Sequence, residues 1–566
     1  MTMSSGHKFS LKRKIVNRLL LLLFFCIAYG SLAAGVRSDQ EMQTIAFDKL
    51  KAIKKSDSHR LLSANQLIRV ADEKVYSVYE SHDMGFVIVG KDTRLPKVLG
   101  YSKTLFNKEN MPPAMTAWLG EVSEACTQNA ISETLETAVE PIKPFITTRW
   151  GQSEPYNNLT PKVGTKSTPS GCVATAMAQI INYRQYPESV SFMGKYYVGD
   201  NDQTGKSEKV KSTYTYPYKL AYGEYVDSVG VTQTMEYTDD EATAIATLMR
   251  DCGYSAEMTY TPDFSGTNVF DAGTALISMF KYPATTVKVF SREYYSAEEW
   301  KDIIYTELEN RSPILFVGLD KQFGGHAFVV AGNDEEGLLY VNWGWDGSSD
   351  GFYDITLMNP ETYYFTSSNR IVTGIRTSNQ LPCDKKIYQF GTEEPYTLKL
   401  LDSGDIELCF NNGIYNVGTY GTSYCMDVVA EDVETHEMTS LANLFENIKL
   451  QTLYGFGAFT DTLQVENPLS PGQYELFVGV KRNSDTQWTH VRTIGGEMHF
   501  NATVASDGKM TIDETPILAG IVAPKVQVSN GKMVNRFKGT YNLQGQKINT
   551  DYRGIVIKDG IKVLQK

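Results

Sequence analysis

Apolar residues recur at helical spacing in the stretch SGCVATAMAQIINYR, which runs from residue 170 to residue 184. The apolar positions that share one face are Val173, Ala176, Met177, Ile180 and Ile181. This spacing predicts an amphipathic helix. The turn-forming run TPSG precedes it, with Ser170 as the candidate N-cap. Cys172 therefore falls in the first turn, where unpaired backbone N–H groups and the positive end of the helix dipole point.

The position of Cys172 has two interpretations. A helix start lowers the pKa of a thiol and so favours the thiolate, which is the nucleophilic form. A lone cysteine on an amphipathic helix is also commonly a small buried apolar residue. The stretch alone leaves both interpretations open, because a cysteine nucleophile needs a base from elsewhere in the chain.

Helical and strand patterns alternate over the first two thirds of the chain and predict an α+β fold. Between residues 35 and 140, the pattern predicts a strand over Gly85–Gly90 and a helix over Met115–Ala125. The stretch TAVEPIKPFI, Thr137–Ile146, contains two prolines and predicts an extended linker. Longer helices and strands then alternate from 141 to 376.

The pattern changes after residue 380 to short strands separated by Gly, Asn, Asp and Ser. The predicted strands include YTLKLL, DIELCF, MDVVAE, QYELFVGV and WTHVRTI. Their number and spacing favour a β-sandwich over residues 380–525. A small strand-and-turn unit follows over 526–566, with a hairpin turn at KDG, residues 558–560.

The N-terminus, residues 1–34, has the pattern of a secretory signal peptide. Basic residues open the chain, Leu19–Tyr29 is a continuous apolar run, and SLAA supplies small residues for cleavage. The apolar run is short for a membrane span, although an uncleaved anchor is the alternative. We therefore expect a secreted or cell-surface protein without a membrane span after signal removal.

The composition and net charge of the chain argue against some classes of binding partner. The chain has 566 residues, 54 basic against 66 acidic, a formal charge of -12 and a pI near 5.3, which argues against nucleic acid as the main partner. The sequence contains no phosphate-cradling glycine-rich loop and no CxxC or HExxH spacing, so we expect neither a metal nor another cofactor.

Six cysteines remain after the signal peptide, scattered as Cys126, Cys172, Cys252, Cys383, Cys409 and Cys425. This scatter is not typical of a disulfide scaffold. A Cys409–Cys425 or a Cys383–Cys409 bridge stays open.

The base for a cysteine nucleophile has one candidate in the middle region. Among the 7 histidines, only His326 falls between 141 and 376, where Cys172 and Cys252 are the two candidate nucleophiles. His326 lies in GGHAFVVAG, which predicts a hairpin that folds near Glu335 and returns through VNWGWDG. The fold of this hairpin places His326 opposite residues 342–344.

The chemistry of that return strand suits a catalytic histidine. Asn342, or a backbone carbonyl beside it, could hold the ring in the tautomer that accepts a proton. Trp343 and Trp345 could exclude water, and glycines 324 and 325 allow close approach of a substrate backbone. The alternative is that His326 is a core histidine and the tryptophans are packing residues.

The chain order, a helix-start cysteine followed by a strand histidine and then Asn and Trp, is that of papain-like cysteine peptidases. The strings GCVATAMAQIINYRQYP, GGHAFVVAG, YVNWGWDGSSDGFY and WGQSEPYNNLTP resemble the streptopain family of secreted bacterial cysteine peptidases. GFVIVGKDTRLPKVLGYS and ENMPPAMTAWL resemble the propeptide of that family. The resemblance covers about residues 60–376 and implies a papain-like, two-lobed catalytic domain.

The resemblance implies a role for each matched residue. It makes Cys172 the nucleophile, His326 the general base and acid, and Gln152 an oxyanion donor. Asn342 or the carbonyl of Trp343 would orient the histidine. The cleft would include Gly325, Ser265, Gly266 and Trp345.

The resemblance also implies a secreted endopeptidase made as a zymogen. The expected divisions are a signal peptide (1–34), an inhibitory propeptide (35–140), the catalytic domain (141–376), a β-sandwich accessory domain (380–525) and a β-rich tail (526–566). Cleavage is expected in the linker at 137–144. The tail is either a sorting signal or a last pair of strands that closes the sandwich.

Two other functions stay open at this stage. One is a Cys–His amidase acting on cell-wall peptides. The other is an exported binding protein whose papain-like domain has lost its activity. Protein or peptide substrates and the chain's own propeptide are the partners that the peptidase interpretation predicts.

Overall fold

The structure is a computed structural model. It describes residues 35–55, 67–127, 139–199, 201–202, 204–216, 218, 223–226, 232–235, 237–320, 324–355, 369–377, 390–418, 422–483, 485–519 and four short strands between 540 and 565. The predicted signal peptide, the start of the predicted linker and Cys383 lie outside these residues.

The N-terminal region combines two helices with a four-stranded meander. Its elements are α1 (Asp39–Lys55), β1 (Ile68–Asp72), β2 (Tyr76–Ser81), β3 (Gly85–Gly90), β4 (Val98–Ser102) and α2 (Pro113–Thr127). The predicted strand at Gly85–Gly90 is confirmed, and the predicted helix is confirmed with two residues more at each end. Met115 and Trp118 are buried on the inner face of α2.

The middle region carries the remaining helices and most of the long sheet. Its elements are α3 (Cys172–Arg184), β5 (Ser189–Val198), β6 (Lys206–Thr213), β7 (Gly223–Val226), β8 (Thr232–Met235), α4 (Asp239–Ser255), β9 (Thr259–Tyr260), β10 (Ser265–Gly266), α5 (Val269–Ser278), β11 (Lys288–Ser291), α6 (Ala297–Glu309), β12 (Ile314–Asp320), β13 (Gly324–Asn333), β14 (Leu339–Asn342), β15 (Gly351–Tyr353) and β16 (Arg370–Thr373). A 3₁₀ turn occupies Arg292–Tyr294. Capping boxes start α4 and α6, because Thr238 pairs with Glu241 and Ser296 with Glu299.

One ten-stranded sheet joins the N-terminal and middle regions. Its strand order is β1-β2-β3-β4-β15-β14-β13-β12-β16-β11. The joint is the antiparallel pair β4–β15, in which Ser102 lies opposite Gly351 and Gly100 opposite Tyr353. The N-terminal region therefore extends the same sheet that carries the histidine.

Two large apolar cores pack on this framework, and a smaller one lies between α1 and the N-terminal strands. The first gathers α3, α4 and α5 and includes Met177 and Leu248. The second lies under α2 and α6 and includes Trp118, Phe328 and Trp343. The start of α3 and the end of β14 lie near the boundary between these cores.

The region from 390 to 519 is built of strands around a third large core. Its strands are β17 (Phe390–Thr392), β18 (Thr397–Leu400), β19 (Ile406–Phe410), β20 (Ile414–Asn416), β21 (Thr422–Asp432), β22 (Met438–Leu450), β23 (Gly455–Phe456), β24 (Phe459–Leu463), β25 (Gly472–Arg482), β26 (Thr489–His490), β27 (Arg492–Thr493), β28 (Glu497–Val504), β29 (Met510–Ile512) and β30 (Ile517–Ala519). Four of the five strand predictions made for this region are confirmed, and the fifth, WTHVRTI, is divided into the two-residue strands β26 and β27, which pair with different neighbours. Cys409 and Cys425 are free, so the first of the two candidate bridges is not formed.

The C-terminal segment adds β31 (Thr540–Tyr541), β32 (Lys547–Ile548), β33 (Gly554–Lys558) and β34 (Ile561–Gln565). Lys558 pairs with Ile561, which confirms the predicted hairpin. Within the described part of the chain, no helix has both the length and the apolar character needed to cross a membrane.

Candidate active site

Helix α3 begins at Cys172, as predicted, but its N-cap is Gly171 and not Ser170. Gly171 has a φ of 89°, which a glycine adopts without steric cost. A Cβ on Gly171 would lie 2.6 Å from Met258 Sδ and 2.8 Å from the Ser265 carbonyl oxygen. The glycine therefore lets β10 approach the cysteine. Ser170 does not cap the helix and makes other hydrogen bonds instead.

Ser170 ties the predicted oxyanion segment to the helix start. Its backbone N–H donates to the Gln152 carbonyl at 2.9 Å. The hydroxyls of Ser170 and Thr175 lie 3.2 Å apart, and Thr175 Oγ1 donates to the Gly151 carbonyl at 3.4 Å. Gln152 is thereby held beside α3, with its side chain partly exposed.

Cys172 contacts the strand that carries the histidine. Its sulfur accepts a hydrogen bond from the backbone N–H of Ala327, the residue after His326. Burial raises the pKa of the thiol, and the N–H groups of Ala327, Val173 and Cys172 itself act in the opposite direction. The prediction of a lowered pKa is therefore wrong in this structure, because loss of hydration outweighs the donors at the helix start.

The other candidate nucleophile, Cys252, is fully buried inside α4. Burial and the charge of Asp251 raise the pKa of its thiol well above the ordinary value. Cys252 is consequently a packing residue, and Cys172 is the cysteine of the site.

His326 lies on β13 and is partly exposed, while its neighbour Gly325 is exposed. On one side β12 places Gly318 opposite His326. On the other side the ladder with β14 ends at the pair Val329–Asn342. Asn342 therefore lies opposite Val329 and not opposite His326, because the turn is centred one residue later than predicted: Asn333 pairs with Leu339, which puts the centre at Glu336 and not at Glu335.

The polar atoms of Asn342 bind groups other than the histidine. Its Nδ2 donates to the Thr148 carbonyl at 2.6 Å, and its Oδ1 accepts from Gln179 Nε2 at 3.0 Å and from the Gly344 N–H at 3.1 Å. These bonds anchor the start of the loop 343–350 against α3. A Cβ on Gly344 would lie 3.3 Å from Thr175 Cγ2, so the loop and the helix are in contact.

The two tryptophans of this loop have different surroundings. Trp343 is buried, its Nε1 donates to the Ser349 carbonyl at 3.1 Å, and its ring lies 5.0 Å from that of Phe328. Trp345 is partly exposed, and its Nε1 donates to Asn110 Oδ1 at 3.2 Å in the N-terminal region. Trp343 is thus a core residue of the loop, while Trp345 meets the segment predicted to inhibit.

The loop closes on a buried carboxylate. Asp350 Oδ1 accepts from the Trp343 N–H at 2.8 Å. Burial raises the pKa of Asp350 to about 7, against the attraction of Arg149. Asp346, on the same loop, lies against Gly151, where a Cβ would be 2.2 Å from Asp346 Oδ1.

The cleft residues Ser265 and Gly266 flank the start of α3. Ser265 is buried next to Gly171, and its hydroxyl has no hydrogen-bond partner among the described residues. A Cβ on Gly266 would meet no atom within 4 Å, so this strand has an open surface. Ser265 thus lies beside the start of α3, and its place in a substrate cleft stays a prediction.

Sequence reasoning missed the residues that support the site, namely Thr148, Gln179, Met258, Asp346 and Asp350. Gln179 carried a signal, since it is a polar residue among the apolar positions of α3. The other four became apparent only once distant segments were packed together. Within the described residues, no group of three or more His, Cys, Asp or Glu side chains is placed to hold a metal ion.

Comparisons with known proteins add two family matches. Residues 150–353 match the Peptidase C10 family, and residues 38–126 match the Spi protease inhibitor. Streptopain of Streptococcus pyogenes is 32% identical over 305 residues, which are 50% of this chain and 74% of streptopain. The thiol protease/hemagglutinin PrtT of Porphyromonas gingivalis is 27% identical over 462 residues, 73% of this chain. This chain spans only about half of PrtT, 52% of its length.

A solved structure of a Prevotella intermedia prointerpain A fragment is 32% identical and covers 55% of this chain and 99% of the fragment, with a TM-score of 0.49. The sequence matches and the site together define a cysteine peptidase with a papain-like fold and an N-terminal inhibitor segment. The chain belongs to the Peptidase C10 family.

Proposed function

We propose that this protein is a secreted cysteine endopeptidase, made as a zymogen, that hydrolyses peptide bonds through a thioester acyl-enzyme. The contact between the Cys172 sulfur and the N–H next to His326 carries this proposal. It joins the strand that carries the one middle-region histidine to the one cysteine that stands at a helix start. That pair is the minimum that a thiol nucleophile and its base require.

The chemical steps follow from the residue types. The Cys172 thiolate attacks the peptide carbonyl, and a C–S bond forms as the carbonyl oxygen becomes an oxyanion. His326 then gives its proton to the amine as the C–N bond breaks. Water attacks the thioester with His326 as base, and the acid product leaves as the thiolate is restored.

Gln152 and the Cys172 backbone N–H are the proposed oxyanion donors. The bond from Ser170 to the Gln152 carbonyl supports this assignment, because it holds the glutamine next to the nucleophile. Loss of one such donor costs about 3–4 kcal/mol of transition-state stabilisation in acyl-transfer enzymes. Trp343 is proposed to orient His326 through its carbonyl, and Asn342 to act on the ring only through the loop.

The proposed substrate cleft runs along Gly325 on one side and Ser265 and Gly266 on the other. The exposure of Gly325 and the open surface over Gly266 support this path. Trp345 is proposed to join the cleft once its bond to Asn110 is broken. The substrate class is protein or peptide, and no cofactor is required.

Inhibition by the segment 35–140 is proposed to act through the loop 343–350. Thr104 Oγ1 accepts from the Ser349 N–H at 3.1 Å, and Ser102 Oγ donates to the Asp350 carbonyl at 2.6 Å. Together with Trp345–Asn110, these contacts hold the wall of the site on the inhibitory segment.

Activation is proposed to cut the chain before Glu140. Ile142 exchanges two backbone hydrogen bonds with Asn333, at 2.9 and 3.0 Å, and the Phe145 N–H donates to the Ala331 carbonyl at 3.1 Å. Asn333 Nδ2 also donates to the Glu140 carbonyl at 3.0 Å. A protease needs an extended, free backbone, so this paired stretch is a poor substrate and the cut is proposed to fall before it.

The remaining divisions are proposals as well. A two-lobed catalytic domain over 141–376 is supported by the separate cores around α3 and under α6. A β-sandwich over 380–525 is supported by sheets that share one core. A signal peptide over 1–34 and a tail over 526–566, either a sorting signal or closing strands, complete the arrangement.

The test uses the chain from residue 35 onwards with a reductant, followed by mass spectrometry. We expect the wild type to trim itself and then cleave casein, and Cys172→Ala to stay whole. Gln152→Ala should still acquire a thiol label at Cys172 but lose roughly 100-fold or more in kcat. Action on cell-wall peptides and not on casein would favour the amidase, and absence of both trimming and labelling would favour the binding protein.

A further inference from the structure

Three buried or half-buried polar side chains form a closed ring of hydrogen bonds below the site. Thr148 Oγ1 donates to Gln179 Oε1 at 2.6 Å, and Gln179 Nε2 donates to Asn342 Oδ1 at 3.0 Å. Asn342 Nδ2 donates to the Thr148 carbonyl at 2.6 Å, which closes the ring. Gln179 is 0% exposed and Asn342 1% exposed, so water does not compete for these bonds.

Each member of the ring belongs to a different segment of the site. Thr148 lies four residues before Gln152, on the segment of the proposed oxyanion donor. Gln179 lies seven residues after Cys172, and seven residues are about two helical turns, so both occupy the same face of α3. Asn342 is the last residue of β14 and precedes the loop with both tryptophans.

Gln179 is the residue that joins the other two through its side chain. Its amide accepts from Thr148 Oγ1 and donates to Asn342 Oδ1, so both of its partners in the ring are side-chain atoms. One of the two partners of Asn342 is instead a backbone carbonyl. An apolar residue here would suit the surrounding core, because the neighbours Ala178 and Ile180 are fully buried. A buried glutamine in such a place loses conformational freedom and hydration, and the two bonds offset that loss.

We propose that Gln179 is a positioning residue for catalysis, which sets the distance between the Cys172 helix, the Gln152 segment and the Trp343 loop. This inference rests on the proposed peptidase function and deepens it. Without the ring, the Gln152 segment keeps its hydrogen bonds to α3 through Ser170 and Thr175. The Trp343 loop is then held against α3 by apolar contact, such as that of Gly344 with Thr175, which is less directional than hydrogen bonds. A displacement of about 1 Å in the reacting groups can lower a rate by about 100-fold.

The principal variant is Gln179→Met, which keeps the volume and removes both bonds. We expect the folded, activated enzyme to lose about 30–100-fold in kcat, with KM changed less than about threefold, because binding groups in the cleft are not touched. Asn342→Leu should give a similar loss. The kcat of the double variant should lie within about twofold of the kcat of either single variant. The effects are not additive because the loss of either residue already breaks the ring.

The matched control is Asn416→Leu in the β-rich region. Asn416 is also 0% exposed, its Nδ2 donates to the Leu450 carbonyl at 3.0 Å, and its Oδ1 accepts from the Gly418 N–H at 2.8 Å. Like Asn342, Asn416 donates to a distant backbone carbonyl and accepts from the N–H two residues further on, but it lies in the β-rich region. We expect a lower melting temperature with kcat within about twofold of the wild type.

A second readout does not depend on peptide hydrolysis. The rate of Cys172 alkylation by iodoacetamide in the propeptide-bearing chain should change at least about tenfold in Gln179→Met and not in Asn416→Leu. If the wild type hydrolyses no substrate, the proposed function fails and this rate still tests Gln179. A kcat and an alkylation rate both within threefold of wild type, or independent effects in the double variant, would overturn the inference.

Discussion

Lys49 of helix α1 and Asp334 of the β13–β14 turn form an ion pair of 3.1 Å between the inhibitory segment and the histidine hairpin. Lys49 also lies 2.8 Å from Glu336 and 4.5 Å above the ring of Tyr101. Tyr101 in turn donates its hydroxyl to Asp334 Oδ2 at 3.0 Å. The pair is largely shielded from solvent, with side chains 9% and 11% exposed.

Removal of this charge should loosen the inhibitory segment. Lys49→Met leaves Asp334 partly buried without its cation, and such a charged hydrogen bond contributes about 1.5–3 kcal/mol. We expect the lag before self-trimming to shorten by roughly tenfold, measured by mass spectrometry at low salt. Lys51→Met, on the exposed face of the same helix, is the control, and an equal effect of both variants would contradict the assignment.

The raised pKa of Cys172 predicts slow labelling of the intact zymogen. A thiol pKa above its ordinary value leaves little thiolate at neutral pH, so the alkylation rate should climb as the pH rises through and beyond the usual thiol range. Peptide mapping after iodoacetamide treatment measures the rate, with Cys172→Ala as the blank. A rate already at its plateau at pH 6 is incompatible with this prediction.

The raised pKa of Asp350 predicts that the stability of the folded chain depends on pH. Its pKa is about 7 in the folded chain, above the ordinary value of 3.8, so between these values the folded state holds a proton that the unfolded state has lost. The contribution of Asp350 to stability therefore decreases as the pH rises from about 4 to about 7 and is constant above that.

Asp350→Asn should remove this dependence while it keeps an oxygen for the Trp343 N–H. We expect its melting temperature to match the wild type near pH 4 and to exceed it near pH 8, measured by calorimetry. Asp507→Asn is the control, because Asp507 is exposed and likewise accepts a backbone N–H, from Lys509 at 3.0 Å. A parallel shift of both variants would show that Asp350 is not the cause.

The ion pair of Arg492 with Glu299 predicts that the β-rich region stabilises the catalytic region. Its guanidinium, 1% exposed, binds both carboxylate oxygens of Glu299 at 2.8 and 2.9 Å and lies 4.5 Å from the ring of Tyr295. Glu299 also completes the capping box of α6 with Ser296. Arg492→Met should cost about 1.5–3 kcal/mol in urea unfolding of the full chain.

The comparison for that variant is Arg482→Met. Arg482 pairs with Asp485 inside the β-rich region, and its guanidinium is more exposed, at 24% against 1% for Arg492. Partly exposed pairs contribute less than about 1 kcal/mol. A cost for Arg492→Met no greater than for Arg482→Met would remove the proposed link between the two regions.

Much of the local structure was predictable from spacing alone. The helix that begins at Cys172, the strand over Gly85–Gly90 and the strands after residue 390 each follow from short-range periodicity. The N-cap of α3 was misassigned by one residue because the choice between Ser170 and Gly171 depends on β10, which is about ninety residues away. The hairpin register differed because the turn is centred on Glu336 and not on Glu335, and neighbouring polar residues in a turn do not mark which of them is the centre.

The amino-acid sequence was sufficient to propose the reacting groups, since only one histidine and two cysteines were available in the middle region and one cysteine stood at a helix start. Folding in three dimensions set their environment. The thiol pKa depends on how completely other segments exclude water from Cys172, and the ring through Gln179 depends on three segments up to 194 residues apart. Local periodicity depends on neighbouring residues, whereas desolvation and long-range hydrogen bonds arise only when distant segments are packed together.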